Sequence, residues 1–152
     1  MKYHIRLDAE MLKGAKIAVL PGDPGRVEKT ARKLSPDCIF LASNREYTSW
    51  LTKSGTENIL ICSTGIGGPS LSIAVEELAS LGIKYFIRIG TTGAIQPHIP
   101  VPSLIVTTGA VRLDGASKHY APLEYPAVAD IGVTNSLIKG AAEAGIDCHY
   151  GI

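Results

Sequence analysis

At 152 residues, 45% of them apolar, the chain is long enough for one α/β domain with a real core. Lys+Arg 15 against Asp+Glu 14 leaves a net charge of +1, which excludes a broadly basic surface for nucleic acid or for an acidic membrane. Cys38, Cys62 and Cys148 are odd in number and lack metal-ligand spacing, and residues 1–6 carry no signal-peptide core, so the expected setting is the reducing cytoplasm.

Strand and helix signals alternate along the chain. Residues 16–20 (Lys-Ile-Ala-Val-Leu) read as a buried strand running into the turn Pro21-Gly22-Asp23-Pro24-Gly25-Arg26. Residues 26–34 read as a helix. Residues 38–50 read as extended, with a break at Ser43-Asn44, and Asn58 to Cys62 as another buried strand. Gly68-Pro69-Ser70 opens the clearest helix, with Leu71, Ala74, Val75, Leu78 and Ala79 on one face and Gly82 as its stop. Strands are expected over Lys84 to Ile89 and Leu104 to Thr108, a helix over Ser136 to Ala144 closed by Gly145, and a strand starting at His149. This alternation predicts a mixed, mainly parallel sheet flanked by helices, with the site at the strand carboxyl ends.

One pattern occurs twice. An apolar strand ends in a glycine turn with an arginine, first at Gly22 and Arg26, then at Arg88-Ile89-Gly90-Thr91-Thr92-Gly93. Cations, hydroxyls and open backbone amides together make an anion site. An unpaired charge at the end of an apolar strand is costly, which marks Arg88 as functional. Asp23 is expected to hold its turn through a side-chain-to-backbone bond. The segment Ser63 to Ser70 imitates a dinucleotide fingerprint. Its third glycine position holds Ser70, however, and the strand that follows carries no acidic residue for a ribose, so that reading is rejected.

Pro21-Gly22-Asp23-Pro24, Ser63 to Ser70, Arg88 to Gln96 and Val111-Arg112-Leu113-Asp114-Gly115-Ala116-Ser117, taken in order, resemble the hexamer-forming nucleoside phosphorylases. The pyrimidine branch, which cleaves uridine, matches better than the purine branch, because Gly90-Thr91-Thr92-Gly93 stands where purine enzymes carry Gly-Ser-Cys-Gly. The resemblance implies one nucleoside phosphorylase-like α/β domain over residues 1–152, with a C-terminal part missing. It implies phosphate contacts from Gly22, Arg26, Arg88, Gly90 and Thr91, with Thr91 also touching ribose and with Arg26, Arg88 and Thr91 as the catalytic set. Arg45 reaches the phosphate of a neighbouring subunit, and His4 reaches its ribose 5′-hydroxyl. Glu46, the Ile66 carbonyl and Ser70 hold a monovalent cation, K+, between subunits. No other cofactor is implied. The partners are phosphate, uridine and further copies of the chain as a dimer or trimer of dimers, with no nucleic acid or membrane.

Bland alternatives stand beside these roles: Arg45-Glu46 as an exposed charge pair, Ser70 as a helix cap, and His98, His119 and His149 as structural or surface residues. The groups that read uracil and the ribose hydroxyls in this family fall beyond Ile152, and Pro102-Ser103 replaces the usual Gly-Asp turn. Two other functions therefore stay open: a purine nucleoside phosphorylase of the same fold, and a non-catalytic phosphate-binding fragment.

Overall fold

The computed structural model describes residues 1–152, which divide into two compact units, Met1–Gly90 and Thr91–Ile152. The expected α/β architecture forms. No helix is long and apolar enough to cross a membrane.

The first unit is built on one sheet. Its strands are β1 (Ile17–Pro21), β2 (Ile39–Asn44), β3 (Tyr47–Ser54), β4 (Glu57–Cys62) and β5 (Tyr85–Ile89), in the order β2-β3-β4-β1-β5. β1 pairs parallel with both β4 and β5, while β2-β3 and β3-β4 are antiparallel. The region expected as one extended stretch is thus a hairpin. Its turn is Arg45-Glu46 rather than Ser43-Asn44, because Asn44 pairs directly with Tyr47.

Side-chain alternation along the strands sorts the core into two layers. Ala18 and Leu20 of β1, Leu60 and Cys62 of β4, and Tyr47 and Leu51 of β3 face helix α2 (Gly68–Ser80) through Ala74 and Leu78. The N-terminal segment adds Ile5, Leu7 and Leu12 to this layer. Ile17, Val19, Ile59, Ile61 and Trp50 face the other way, onto Val27 and Ala31 of α1 (Val27–Leu34). Thr52 lies on that second face, where its Oγ1 donates to the Ala31 carbonyl at 2.9 Å.

Local chemistry sets the helix ends. Asp23 Oδ1 accepts from the Gly25 amide at 2.8 Å, as its turn position implied, and a short 3-10 turn over Pro24–Arg26 leads into α1. At the end of α2, Gly82 at φ 99° lets its amide reach Ala79 and the Ile83 amide reach Leu78, which is a Schellman closure.

The second unit holds β6 (Leu104–Thr107), β7 (Gly109–Ala110), β8 (Ala127–Val128), α3 (Ile131–Glu143) and β9 (Cys148–Gly151). β6 pairs parallel with β9, and β7 antiparallel with β8. α3 starts five residues earlier than periodicity indicated, because Asp130 caps it by accepting from the Val133 amide at 2.8 Å. Its end repeats the Schellman closure at Gly145, φ 68°. Arg112 organises the loop between β7 and β8: its guanidinium donates to the carbonyls of Ser117, Ala121, Pro122 and Tyr125 and to Ser117 Oγ. The Asp114 carboxylate closes the same loop on the Ser117 amide and hydroxyl, and those bonds hold its pKa below the ordinary carboxylate value.

Leu60 is fully buried whereas Ile39 on edge strand β2 is 42% exposed. Leu60→Ala should therefore cost about 2–5 kcal/mol of unfolding free energy. Ile39→Ala should cost less than about 1 kcal/mol by denaturant titration.

Candidate functional site

Register brings the two glycine turns together. Leu20 pairs with Arg88 and Pro21 with Ile89, so Gly22 and Gly90 leave β1 and β5 side by side at their carboxyl ends. The Arg88 guanidinium lies between them. A Cβ at position 22 would stand 3.0 Å from its Nη2, and one at position 90 would stand 3.0 Å from its Nη1. At position 22 a methyl would also meet the Gly65 carbonyl at 3.1 Å, so close approach favours glycine there, whereas at position 90 only the guanidinium end would have to give way. Arg88 Nη1 donates to the Ile89 carbonyl at 2.5 Å and reaches the Leu20 carbonyl at 3.5 Å. Arg88 forms no ion pair.

One expectation is corrected here. Arg88 is exposed rather than held as a buried charge: it shares the α2 face of the sheet with its register partner Leu20, but it sits at the carboxyl end of β5, where its guanidinium lies against Gly22 and Gly90. The case for function at Arg88 therefore rests on a cation packed against two glycines without a counter-ion, not on desolvation.

The turn after β4 docks on the turn after β1. The Thr64 amide donates to the Pro21 carbonyl and the Gly65 amide to the Gly22 carbonyl, each at 3.0 Å. Arg26 is exposed at the start of α1, in no ion pair, four residues beyond Gly22. Thr91 is exposed and is the first residue of the second unit. Gly22, Arg88 and Gly90 are the expected phosphate residues seen in direct contact.

Arg45 occupies the first position of the two-residue β2–β3 turn at φ 55°. That turn requires a left-handed residue, which a side chain resists, so Arg45 is held in strain by its surroundings. It is exposed and unpaired, so Arg45-Glu46 is not a charge pair.

The three expected cation ligands meet around Gly65. Ser70 Oγ lies 3.4 Å from the Ile66 carbonyl and 3.2 Å from that of Gly67. A Cβ at position 65 would collide with Glu46 Cγ at 2.9 Å and approach Ser70 Oγ to 3.3 Å, so the Glu46 stem and Ser70 pack directly on Gly65. A carboxylate, a carbonyl and a hydroxyl are hard oxygen donors, and this set suits an alkali cation. Buried Tyr47 lies against both sides, its hydroxyl donating to the Ser70 carbonyl at 3.0 Å. Burial, then the charge and hydrogen bond of Glu46, push its pKa up to about 12, so it remains a donor at neutral pH.

His4 is tied down by a residue that sequence reasoning missed. Glu77 on α2 accepts from the His4 amide at 3.1 Å and the Ile5 amide at 2.9 Å, and its Oε1 lies 2.8 Å from His4 Nδ1. Burial works to raise the Glu77 pKa, but the bonds from Ile5 and His4 outweigh it and hold the pKa below the ordinary value. No sequence signal marked Glu77, since a glutamate in a helix reads as a solvated one. Ser63 was quoted only as the start of a glycine turn, yet it is fully buried and its Oγ bonds both Glu46 and Thr48 backbone. Cys62 is inert: burial pushes its thiol up to about 11. The rings of His98 and His149 lie 6.0 Å apart in the second unit, and no group of three His, Cys, Asp or Glu side chains is placed to hold a metal ion.

Residues 16–152 match the sequence pattern described as the Phosphorylase superfamily. The chain belongs to that superfamily. Among its relatives, a protein named uridine phosphorylase from Salmonella typhimurium is 55% identical over 150 residues, 99% of this chain and 59% of the relative. A uridine phosphorylase from Thermococcus kodakarensis is 47% identical over 152 residues, 100% of this chain and 54% of the relative. A guanosine phosphorylase from Halorubrum lacusprofundi is 43% identical over 136 residues, 90% of this chain and 56% of the relative. This superfamily member thus spans little more than half the length of the curated relatives it matches.

Two outcomes test the geometry. Gly22→Ala pushes a methyl against Arg88 and the Gly65 carbonyl, and phosphate affinity measured by calorimetry should fall about tenfold. Glu77, with its depressed folded pKa, contributes stability above the ordinary carboxylate range and loses it as pH falls through the folded value. Amide exchange at His4 and Ile5, corrected for intrinsic rates, should accelerate over that acid window, and Glu77→Gln should remove the pH dependence.

Proposed function

We propose that this chain carries the phosphate-binding part of a uridine phosphorylase, which splits uridine with phosphate to uracil and ribose 1-phosphate. The observation that carries the reading is the Arg88 guanidinium packed between Gly22 and Gly90 without a carboxylate partner. A planar fork of donors matches two phosphate oxygens, and glycine on either side lets the anion approach the backbone.

Phosphorolysis needs no general base, because the nucleophile is already an anion. Phosphate attacks C1′ of the ribose, the bond to the base breaks, and its electron pair leaves with uracil. Positive charge builds on the sugar in the transition state. Arg26, Arg88, Gly90 and Thr91 hold the phosphate at one angle beneath C1′, which supplies proximity and fixed dipoles. Arg45 completes the phosphate shell of a neighbouring copy, and His4, whose Nδ1 faces Glu77, offers Nε2 to that copy's ribose 5′-hydroxyl. A potassium ion held by Glu46, the Ile66 carbonyl and Ser70 joins copies into a dimer or trimer of dimers. Three free cysteines suit a cytoplasmic enzyme.

A second reading is supported by the guanosine phosphorylase relative: the same phosphate machinery with a purine base. Phosphorolysis of uridine, guanosine and inosine by the intact protein separates the two. Uridine should be preferred, and Arg88→Ala should lower kcat/KM for phosphate about 100-fold. Preference for a purine nucleoside would move the protein to the second reading. Phosphate binding without turnover of any nucleoside would make it a binding module.

A further inference from the structure

We infer that the hydroxyls of Ser63 and Tyr47 are the positioning groups for Arg45 and Glu46, clamping their turn onto the Gly65–Ser70 turn. The inference deepens the proposed function and rests on the phosphate role given there to Arg45.

The β3–β4 ladder reaches Ser49 and Cys62. Beyond that pair the two chains diverge, and one main-chain bond remains, from the Ser63 amide to the Thr48 carbonyl at 2.9 Å. Ser63 Oγ takes over from there. It donates to the Glu46 carbonyl at 2.6 Å and accepts from the Thr48 amide at 2.7 Å. One hydroxyl therefore spans the peptide units on either side of Tyr47. Tyr47 adds the third point, 1% exposed and donating to the Ser70 carbonyl at 3.0 Å.

The three bonds fix Glu46–Thr48 from two directions. Arg45 at φ 55° is the residue immediately before them, with no ion pair of its own. A strained backbone persists only where its surroundings over-determine it, and here that surrounding is the clamp. A charged anchor on Arg45 would compete with the anion it is proposed to bind. Uncharged hydroxyls acting on the neighbouring backbone hold the turn and leave the guanidinium free. Glu46, whose carboxylate is the proposed cation ligand, is fixed by the same bonds.

Ser63→Ala strips two bonds at once from half-buried backbone groups and releases the turn. Tyr47→Phe keeps the ring in the core and removes only the hydroxyl, with its bond to Ser70 and its contact with Glu46, so it reads out the clamp even where Ser63→Ala folds poorly. Affinity for inorganic phosphate is measured by calorimetry on the intact, assembled protein. Ser63→Ala should weaken it about tenfold and Tyr47→Phe about threefold. In steady-state assays KM for phosphate should rise while kcat and KM for the nucleoside hold. Because the clamp acts through Arg45, Ser63→Ala should have no further effect on phosphate affinity in an Arg45→Ala background. An equal loss with and without Arg45 would overturn the inference, as would unchanged phosphate affinity in both folded single variants. Unchanged affinity in Arg45→Ala alone would overturn the phosphate role of Arg45 and the clamp with it. Loss in Arg45→Ala without loss in the clamp variants would sink the clamp only.

Discussion

The site depends on the parallel, in-register pairing of β1 with β4 on one side and β5 on the other. Parallel neighbours end at the same level, so the turns after β1, β4 and β5 leave the sheet from one edge. The bonds from Thr64 to Pro21 and from Gly65 to Gly22 carry this alignment past the strand ends. A slip of one residue would turn Leu20 and Ile61 to the wrong layers and Arg88 to the other face. Two buried layers oppose that slip, so the burial that stabilises the sheet also places the guanidinium.

Within that frame, small residues and hydroxyls do different jobs. Gly22 and Gly90 leave room for a side chain arriving from β5, whereas Gly65 and Gly67 at φ 68° and 107° make a turn that other residues resist. Ser63, Tyr47 and Ser70 satisfy backbone carbonyls where the ladder has ended. No buried side-chain nitrogen or oxygen lacks a hydrogen-bond partner, so the polar interior near the site is closed on itself. The cations at the edge, Arg26, Arg45 and Arg88, are left without carboxylates.

Much of this was legible in the sequence. Apolar runs flanked by glycine located β1, β4 and β5, and period-3.6 apolar residues located α2, because those signals record burial directly. The hairpin of β2 and β3 was blurred. Its turn residues, Arg45 and Glu46, are not turn formers, and the bonds that flank them come from Ser63 and Ser70, far along the chain. The start of α3 was missed because residues 131–135 carry weak periodicity and Asp130 was not read as a cap. Arg88 was singled out as a costly buried charge, whereas its side chain is exposed at the carboxyl end of β5, which the composition of the strand does not reveal. Glu77 was invisible for a related cause: its partners are backbone amides more than seventy residues away.

The arginines left unpaired and the carboxylates kept busy belong to one arrangement. Glu77 is engaged by His4 and Ile5, Asp114 by Ser117, Asp23 by Gly25, Asp130 by Val133 and Glu28 by Arg32. Each of these anions is committed to an N–H or O–H donor within its own segment or its nearest packed neighbour. The Glu46 stem packs on Gly65 next to Ser70, whose hydroxyl donates to the Ile66 and Gly67 carbonyls. Arg26, Arg45 and Arg88 form no ion pair with any of these carboxylates. Of the three, the Arg88 guanidinium is anchored on the Leu20 and Ile89 carbonyls, and an anchored fork needs less reorganisation to receive an anion than a free side chain does.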